Sequence, residues 1–360
     1  MIAQDDLGDD LDAGVAQGII TNAQASALRA LAAEREKARA AALSHEERFR
    51  FMRGFNDFFF ASGVLLFGAG AAFFAASVPV GNLLAAAMMW SLAELLVARL
   101  RLVLPGLLLV AFFAYFVARA VPLESWLGSP AHVTIATFNT FLDTITGHGN
   151  PAVACARALL IALAGLAFFV RFRFPFAMLP MAGGLVLAVM AFTPPSDGWV
   201  HAYAILLACG LAVFAAAMAF DVSDRARTTR RSDCAFWLHL LAAPLIVHSL
   251  IRLTVGNAFQ AMTGQVAATI VGIVVVLTIV AVVIDRRALL VSTLTYLGIA
   301  IAYALKAAST DQNKVFFATL IVLGAMVLTL GVGWQPLRRG LMTVVPSRIA
   351  LRLPPVVTAA

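Results

Sequence analysis

Charge is what this sequence most conspicuously lacks. Asp, Glu, Lys and Arg make up 12% of its 360 residues, about half the share usual in soluble domains. Lysine stands only at positions 37, 306 and 314. So little charge cannot clothe a water-facing surface, and with 62% apolar residues and a mean hydropathy of +0.92 the chain reads as a multi-spanning membrane protein.

Cysteine is almost as scarce. Cys155, Cys209 and Cys234 lie in or beside separate apolar segments without a Cys-x-x-Cys spacing. Neither a disulfide framework nor a thiolate metal site is therefore indicated, and the three read as small buried apolar residues. The first ten residues are acidic where a secretory signal or a transit peptide would be basic, so the amino terminus is expected to be retained. Gly-x-Ser-x-Gly, His-Glu-x-x-His, the phosphate-binding loop and paired intramembrane aspartates are all missing. Hydrolase, metalloprotease and ATPase readings therefore have no support. No cofactor and no metal is indicated. An enzyme acting on lipid would have to draw on Glu124, His132, Asp143 and His148, none with a recognisable partner.

What is present is a series of apolar windows at about 58–78, 80–97, 102–121, 152–170, 174–193, 200–220, 235–251, 266–284, 288–308 and 314–333, each of the length a bilayer span requires. The expected fold is an all-α polytopic bundle of about ten spans. The net charge of +7 is distributed by topology rather than gathered for nucleic acid. Twenty-one of the 26 basic residues fall before the first window, after the last, or in alternate loops. Arg119, Arg157, Arg252, Lys306 and Lys314 take the other side. This asymmetry orients both termini to the cytoplasm. With arginine far above lysine and alanine abundant, it fits a bacterial inner-membrane protein.

Three regions follow: a cytoplasmic helical segment at 1–57, the ten-span bundle at 58–333 and a basic tail at 334–360. In the first, Thr21 and Gln24 form a capping box after Gly18, and Leu28 and Leu31 give a short apolar face. Ser44 and Glu47 repeat the capping signal, and the helix they predict puts Phe51, Met52, Phe55, Phe58 and Phe59 on one side for the membrane interface. The outer loop at 122–151 predicts an amphipathic helix from Ser129-Pro130, with Ile135, Phe138, Leu142 and Ile145 on one face. Gly63, Gly68, Gly70 and the pair Gly183-Gly184 permit close helix packing.

Ionisable residues inside the windows are the leads to function, because each is costly there. Glu94, one turn before Arg99, is a proton or cation site or else one half of an ion pair with a neighbouring helix. The 235–251 window carries His239, Pro244, His248, Ser249 and, just beyond, Arg252. Nine positions put the two histidines about 13 Å apart along the axis and on roughly opposite faces, so they cannot share a metal by themselves. His248 and Arg252, four apart, share a face near the outer surface. Pro244 removes a backbone hydrogen bond between them. Asp221 and Asp285 each end a window with arginines following, and read as caps compensated by Arg225, Arg286 and Arg287.

The segment Gly18-Ile19-Ile20-Thr21-x-x-Gln24, the entry Arg53-Gly54-Phe55-Asn56-Asp57 and the exit Gly333-Trp334-Gln335-Pro336-Leu337-Arg338-Arg339 resemble a bacterial family of polytopic membrane proteins without established activity. The resemblance implies the architecture and no site residues. Two functions fit these features. One is a small-solute permease using Glu94 as a proton or cation site and His239, His248 and Arg252 as substrate contacts, with ten spans allowing an inverted five-plus-five repeat. The other is a non-transporting scaffold or sensor that engages a protein partner through its N-terminal helices. In either case the lipid bilayer surrounds the bundle.

Overall fold

The computed structural model describes residues 11–44, 55–75, 78, 80–127, 150–193, 198–225, 227, 229–256, 262–306, 311–350 and 353–354. Among them there is no strand. The chain divides into two units, Met1–Phe49 with Val357–Ala360, and Arg50–Val356.

In the first unit residues 11–16 are helical, the chain turns at Gly18 with a left-handed φ of 69°, and α1 follows over Asn22–Ser44. The capping box forms as expected: the Thr21 amide donates to Gln24 Oε1 at 2.9 Å, and the Gln24 amide donates to Thr21 Oγ1 at 3.3 Å. Arg29 closes the turn with an ion pair of 2.6 Å to Asp12. Leu11 and Ala25 are buried, whereas Ile19, Leu28 and Leu31 stay exposed.

The second unit is a helical bundle. Its elements are α2 (Phe55–Ala75), α3 (Gly81–Ala93, continued by a π-helical stretch Glu94–Arg99), α4 (Leu104–Ala120), α5 (Pro151–Phe172), α6 (Met178–Met190, entered through a 3-10 turn Pro175–Ala177), α7 (Gly198–Ser223), α8 (Arg230–Val255), α9 (Gly264–Ile284), α10 (Ala288–Lys306) and α11 (Gln312–Met342). Every apolar window of the sequence is thus occupied by a helix. Among the described residues eight helices are long and apolar enough to cross a membrane, while Leu104–Ala120 and Pro175–Met190 are shorter. The bundle's exterior carries large apolar side chains, among them Phe73 and Val332 at 86% exposure. A water-facing surface does not carry so many, and with every span helical the backbone needs no external hydrogen-bond partner. The chain is a multi-pass membrane protein. The interfacial helix expected from Ser44 and Glu47 onward, and the outer amphipathic helix expected from Ser129-Pro130, lie outside the described residues.

Side chains fix where the helices start. Asn150 accepts from the amides of Ala152 and Val153 ahead of α5, with Pro151 in the first turn. Thr229, Thr263 and Asp311 do the same for α8, α9 and α11, each satisfying amides that lack a partner inside the helix. α11 continues past the end of its apolar window at 333 and through Pro336, because Trp334 and Arg338 on its final turns point inward and are buried.

Packing is tightest where residues are small. A Cβ on Gly184 of α6 would meet the Ala158 carbonyl oxygen at 2.6 Å and the Ala162 nitrogen at 2.7 Å, both backbone atoms of α5. At Gly183 a Cβ would meet nothing within 4 Å. Gly184→Ala is therefore expected to lower stability by about 1–3 kcal/mol through forced separation of α5 and α6, and Gly183→Ala to cost nothing measurable. Thermal melts of the two purified variants in detergent check this, and equal melting points would contradict the close approach.

α8 sits at the centre. It contributes to three of the four buried clusters, packing against α6 and α7 through Cys234 and Leu238, against α9 and α11 through Ala243, and against α9 and α10 through Val247 and Ile251. Half of its apolar window is buried, against 11% for the peripheral α11. The helix that carries His239 and His248 is thus the most buried of the membrane-length helices among the described residues.

Candidate functional site

Thr229 starts α8, and Ser232 and Cys234 on its first turns are buried. His239, two and a half turns in, is wholly buried. Its Nε2 lies 2.9 Å from Asp221 Oδ2 at the end of α7. The same carboxylate receives Arg286, whose Nε donates to Oδ2 at 3.1 Å and whose Nη2 donates to Oδ1. Nη2 also reaches the carbonyl and the hydroxyl of Ser232, each at 3.1 Å. A carboxylate bound by a guanidinium can only accept, so His239 Nε2 carries the proton of that bond. His239 Nδ1 is buried with no hydrogen-bond partner and the ring packs edge-on to Phe214. Asp221 and Arg286 cancel in charge, and the imidazole completes the cluster by donating to the carboxylate.

A second cluster adjoins it. Asp285 ends α9 in the left-handed conformation, φ 59°. Its Oδ1 accepts from Trp334 Nε1 at 2.7 Å and its Oδ2 from Arg227 Nη1 at 3.1 Å, with Arg338 Nη1 at 3.7 Å. The side chains of Arg227 and Arg338 are 4% and 1% exposed. Arg227 also donates to the carbonyls of Ile284 and Asp285. Arg225 and Arg338 donate to the carbonyls of Leu353 and Pro354, holding that segment against the ends of α7 and α11. Asp221 thus finds Arg286, one of the arginines expected to compensate it, while Asp285 takes Arg227 and Arg338 in place of its sequence neighbours. Neither aspartate's side chain caps the helix that follows it. Between them they cross-link α7, α8, α9 and α11. Asp224 supplies a local turn instead, accepting from the amide and hydroxyl of Thr229.

Toward the other end of α8, His248 and Arg252 do share a face. The Arg252 guanidinium lies over the ring of Tyr203 on α7 at 5.3 Å, and His248 meets the same ring edge-to-face at 5.3 Å. His248 Nδ1 is hydrogen-bonded to the Tyr296 hydroxyl of α10. Arg252 Nε is buried with no hydrogen-bond partner. The helix runs through Pro244 between the two groups without interruption.

Glu94 stands apart, at the start of the π-helical stretch, where it accepts from Arg171 Nη2 of α5 at 2.6 Å. Both side chains are partly exposed, 34% and 52%. The four residues singled out from the sequence are therefore placed in three constellations: Glu94 with Arg171, His239 with Asp221 and Arg286, and His248 with Arg252 and two tyrosines. Sequence reasoning did not find Arg227, Ser232, Trp334 and Arg338. The inward face of Trp334 and Arg338 was available as an i, i+4 pair on one side of a helix; the position of Arg227 depends on tertiary contacts alone.

Among the described residues no three His, Cys, Asp or Glu side chains converge as a metal site requires. No family model, no curated protein and no solved structure matches this chain.

Proposed function

We propose that the protein is a small-solute permease whose working groups lie along α8, with both termini cytoplasmic, in a bacterial inner membrane. The observation that supports this most is His239, wholly buried in a membrane-length helix, bonded to an already neutralised carboxylate and with its second ring nitrogen unpartnered. A polar side chain buried in a membrane-length helix is costly unless it is used or matched, and Asp221 matches only one of its two ring nitrogens. His239 takes the proton-handling part, His248 and Arg252 contact solute, and Glu94 is a cation site only when it parts from Arg171.

Proteoliposomes loaded with a pH-sensitive dye test this. Succinate or inorganic phosphate added outside is expected to change the internal pH in liposomes with the native chain, and His239→Gln is expected to reduce that signal to the level of empty liposomes while the protein stays monodisperse. The same rate with His239→Gln, or no solute-driven signal for any member of a wider solute panel, would contradict the reading.

The scaffold reading retains one observation in its favour. Ile19, Leu28 and Leu31 on the first unit are exposed at 72%, 45% and 45%, which suits a surface that docks a protein partner.

A further inference from the structure

The arginines buried among α7, α9 and α11 are matched by carboxylates: Arg286 by Asp221, and Arg227 and Arg338 by Asp285. Arg171 is matched by Glu94. Arg252 is different. Its surroundings are the face of Tyr203, the imidazole of His248 one turn earlier on α8, and through that imidazole the hydroxyl of Tyr296. It makes no ion pair with any carboxylate among the described residues. Its Nε is buried without a hydrogen-bond partner, while His248 remains exposed. A guanidinium near a helix end in lipid that serves only to snorkel would extend to the interface and solvate all three nitrogens. Here the guanidinium lies over the Tyr203 ring instead.

We infer that Arg252, His248, Tyr203 and Tyr296 form an oxyanion site, taking a carboxylate or phosphate group carried either by a free solute or by an anionic lipid headgroup. The chemistry of the set selects the ligand. The guanidinium offers a fork that fits two oxygens of such a group. Imidazole and phenol supply adjustable donors, and with no carboxylate in the set there is nothing to hold a cation. Tyr203 supports the guanidinium through its ring face, and Tyr296 fixes the imidazole by its hydrogen bond. α7, α8 and α10 each contribute, so the site is built across three helices rather than along one surface. A free oxyanion as ligand deepens the permease reading by naming its substrate class, and in that respect rests on it.

The test uses the full-length protein in phosphatidylcholine nanodiscs, with binding of radiolabelled inorganic phosphate and of succinate measured at constant ionic strength. Retention of phosphatidylglycerol is followed separately by native mass spectrometry. Arg252→Gln is expected to weaken binding of at least one of these probes by about tenfold to a hundredfold, the worth of a charge-assisted hydrogen-bond pair. Arg252→Lys, which keeps the charge and loses the fork, should fall between. It also serves as the second variant if the glutamine protein is not monodisperse. Loss confined to phosphatidylglycerol identifies the headgroup as the ligand; loss for phosphate or succinate identifies a solute. If Arg252→Gln and Arg252→Lys leave all three probes bound as in the native chain, or the native chain binds none, the oxyanion site is overturned. Flux keeps the two proposals distinct: Arg252-dependent binding without uptake into proteoliposomes sustains the site and removes the permease, whereas uptake without Arg252-dependent binding does the reverse.

Discussion

Asp285→Ala is expected to destabilise the protein by about 3–5 kcal/mol, the usual cost of removing one partner of a buried ion pair. The carboxylate faces two buried guanidinium groups and accepts the indole N–H of Trp334, itself 1% exposed. Truncation leaves two positive charges close together in a region with little water to screen them. Trp334 loses its acceptor at the same time. Asp285→Asn separates the contributions, since its amide oxygen still serves Trp334 while the charge is gone, and it should melt between the native chain and the alanine variant. Melting followed by size exclusion in detergent measures all three. An alanine variant as stable as the native chain would show that Asp285 holds nothing together.

Asp221 and Arg286 should behave as one unit. Asp221→Ala strands Arg286 and takes the acceptor from His239 Nε2, and Arg286→Ala strands Asp221, so each single change is expected to cost about 3–5 kcal/mol, the aspartate change more. The double change Asp221→Leu with Arg286→Met removes both charges and fills similar volume. Apolar replacement of a whole buried pair is often neutral or stabilising, so the double variant should lie well above either single one. A double-mutant cycle on these proteins measures the coupling. Additive losses would mean that the two side chains do not depend on each other.

These expected effects fall on residues whose importance the sequence displays only in part, and the reason is physical. A bilayer-length apolar run announces its own helix, because backbone hydrogen bonding in lipid leaves no other local solution. Hence the helices at Asn56–Ala75, Arg230–Val255 and the others fall on their predicted windows, and Thr21, Asn150 and Thr229 mark starts through local chemistry. Pairing of charges is not local. Asp285 precedes Arg286 and Arg287 in the chain, yet its left-handed backbone turns the carboxylate toward Arg227 and Arg338, and only the adjacency of α7, α9 and α11 makes those available. The same holds for the oxyanion cluster: the shared face of His248 and Arg252 follows from four-residue spacing, whereas Tyr203 and Tyr296 come from helices that no spacing rule brings alongside. Glu94 shows the intermediate case, its ion pair with a neighbouring helix being one of the readings the sequence left open and Arg171 the partner it did not name.

The permease proposal requires α8 to line a path open to water. It is tested most directly by thiol accessibility in a chain carrying Cys155→Ala, Cys209→Ala and Cys234→Ala, with His239→Cys or His248→Cys added singly. A small, membrane-impermeant thiosulfonate is applied to vesicles of known orientation. The account predicts that His248→Cys reacts quickly from one side, that His239→Cys reacts more slowly from the opposite side, and that phosphate or succinate slows at least the first. If His239→Cys is inert from both sides while the protein remains folded, α8 is sealed into its neighbours, the permease reading falls, and the partner of residues 1–57 becomes the question.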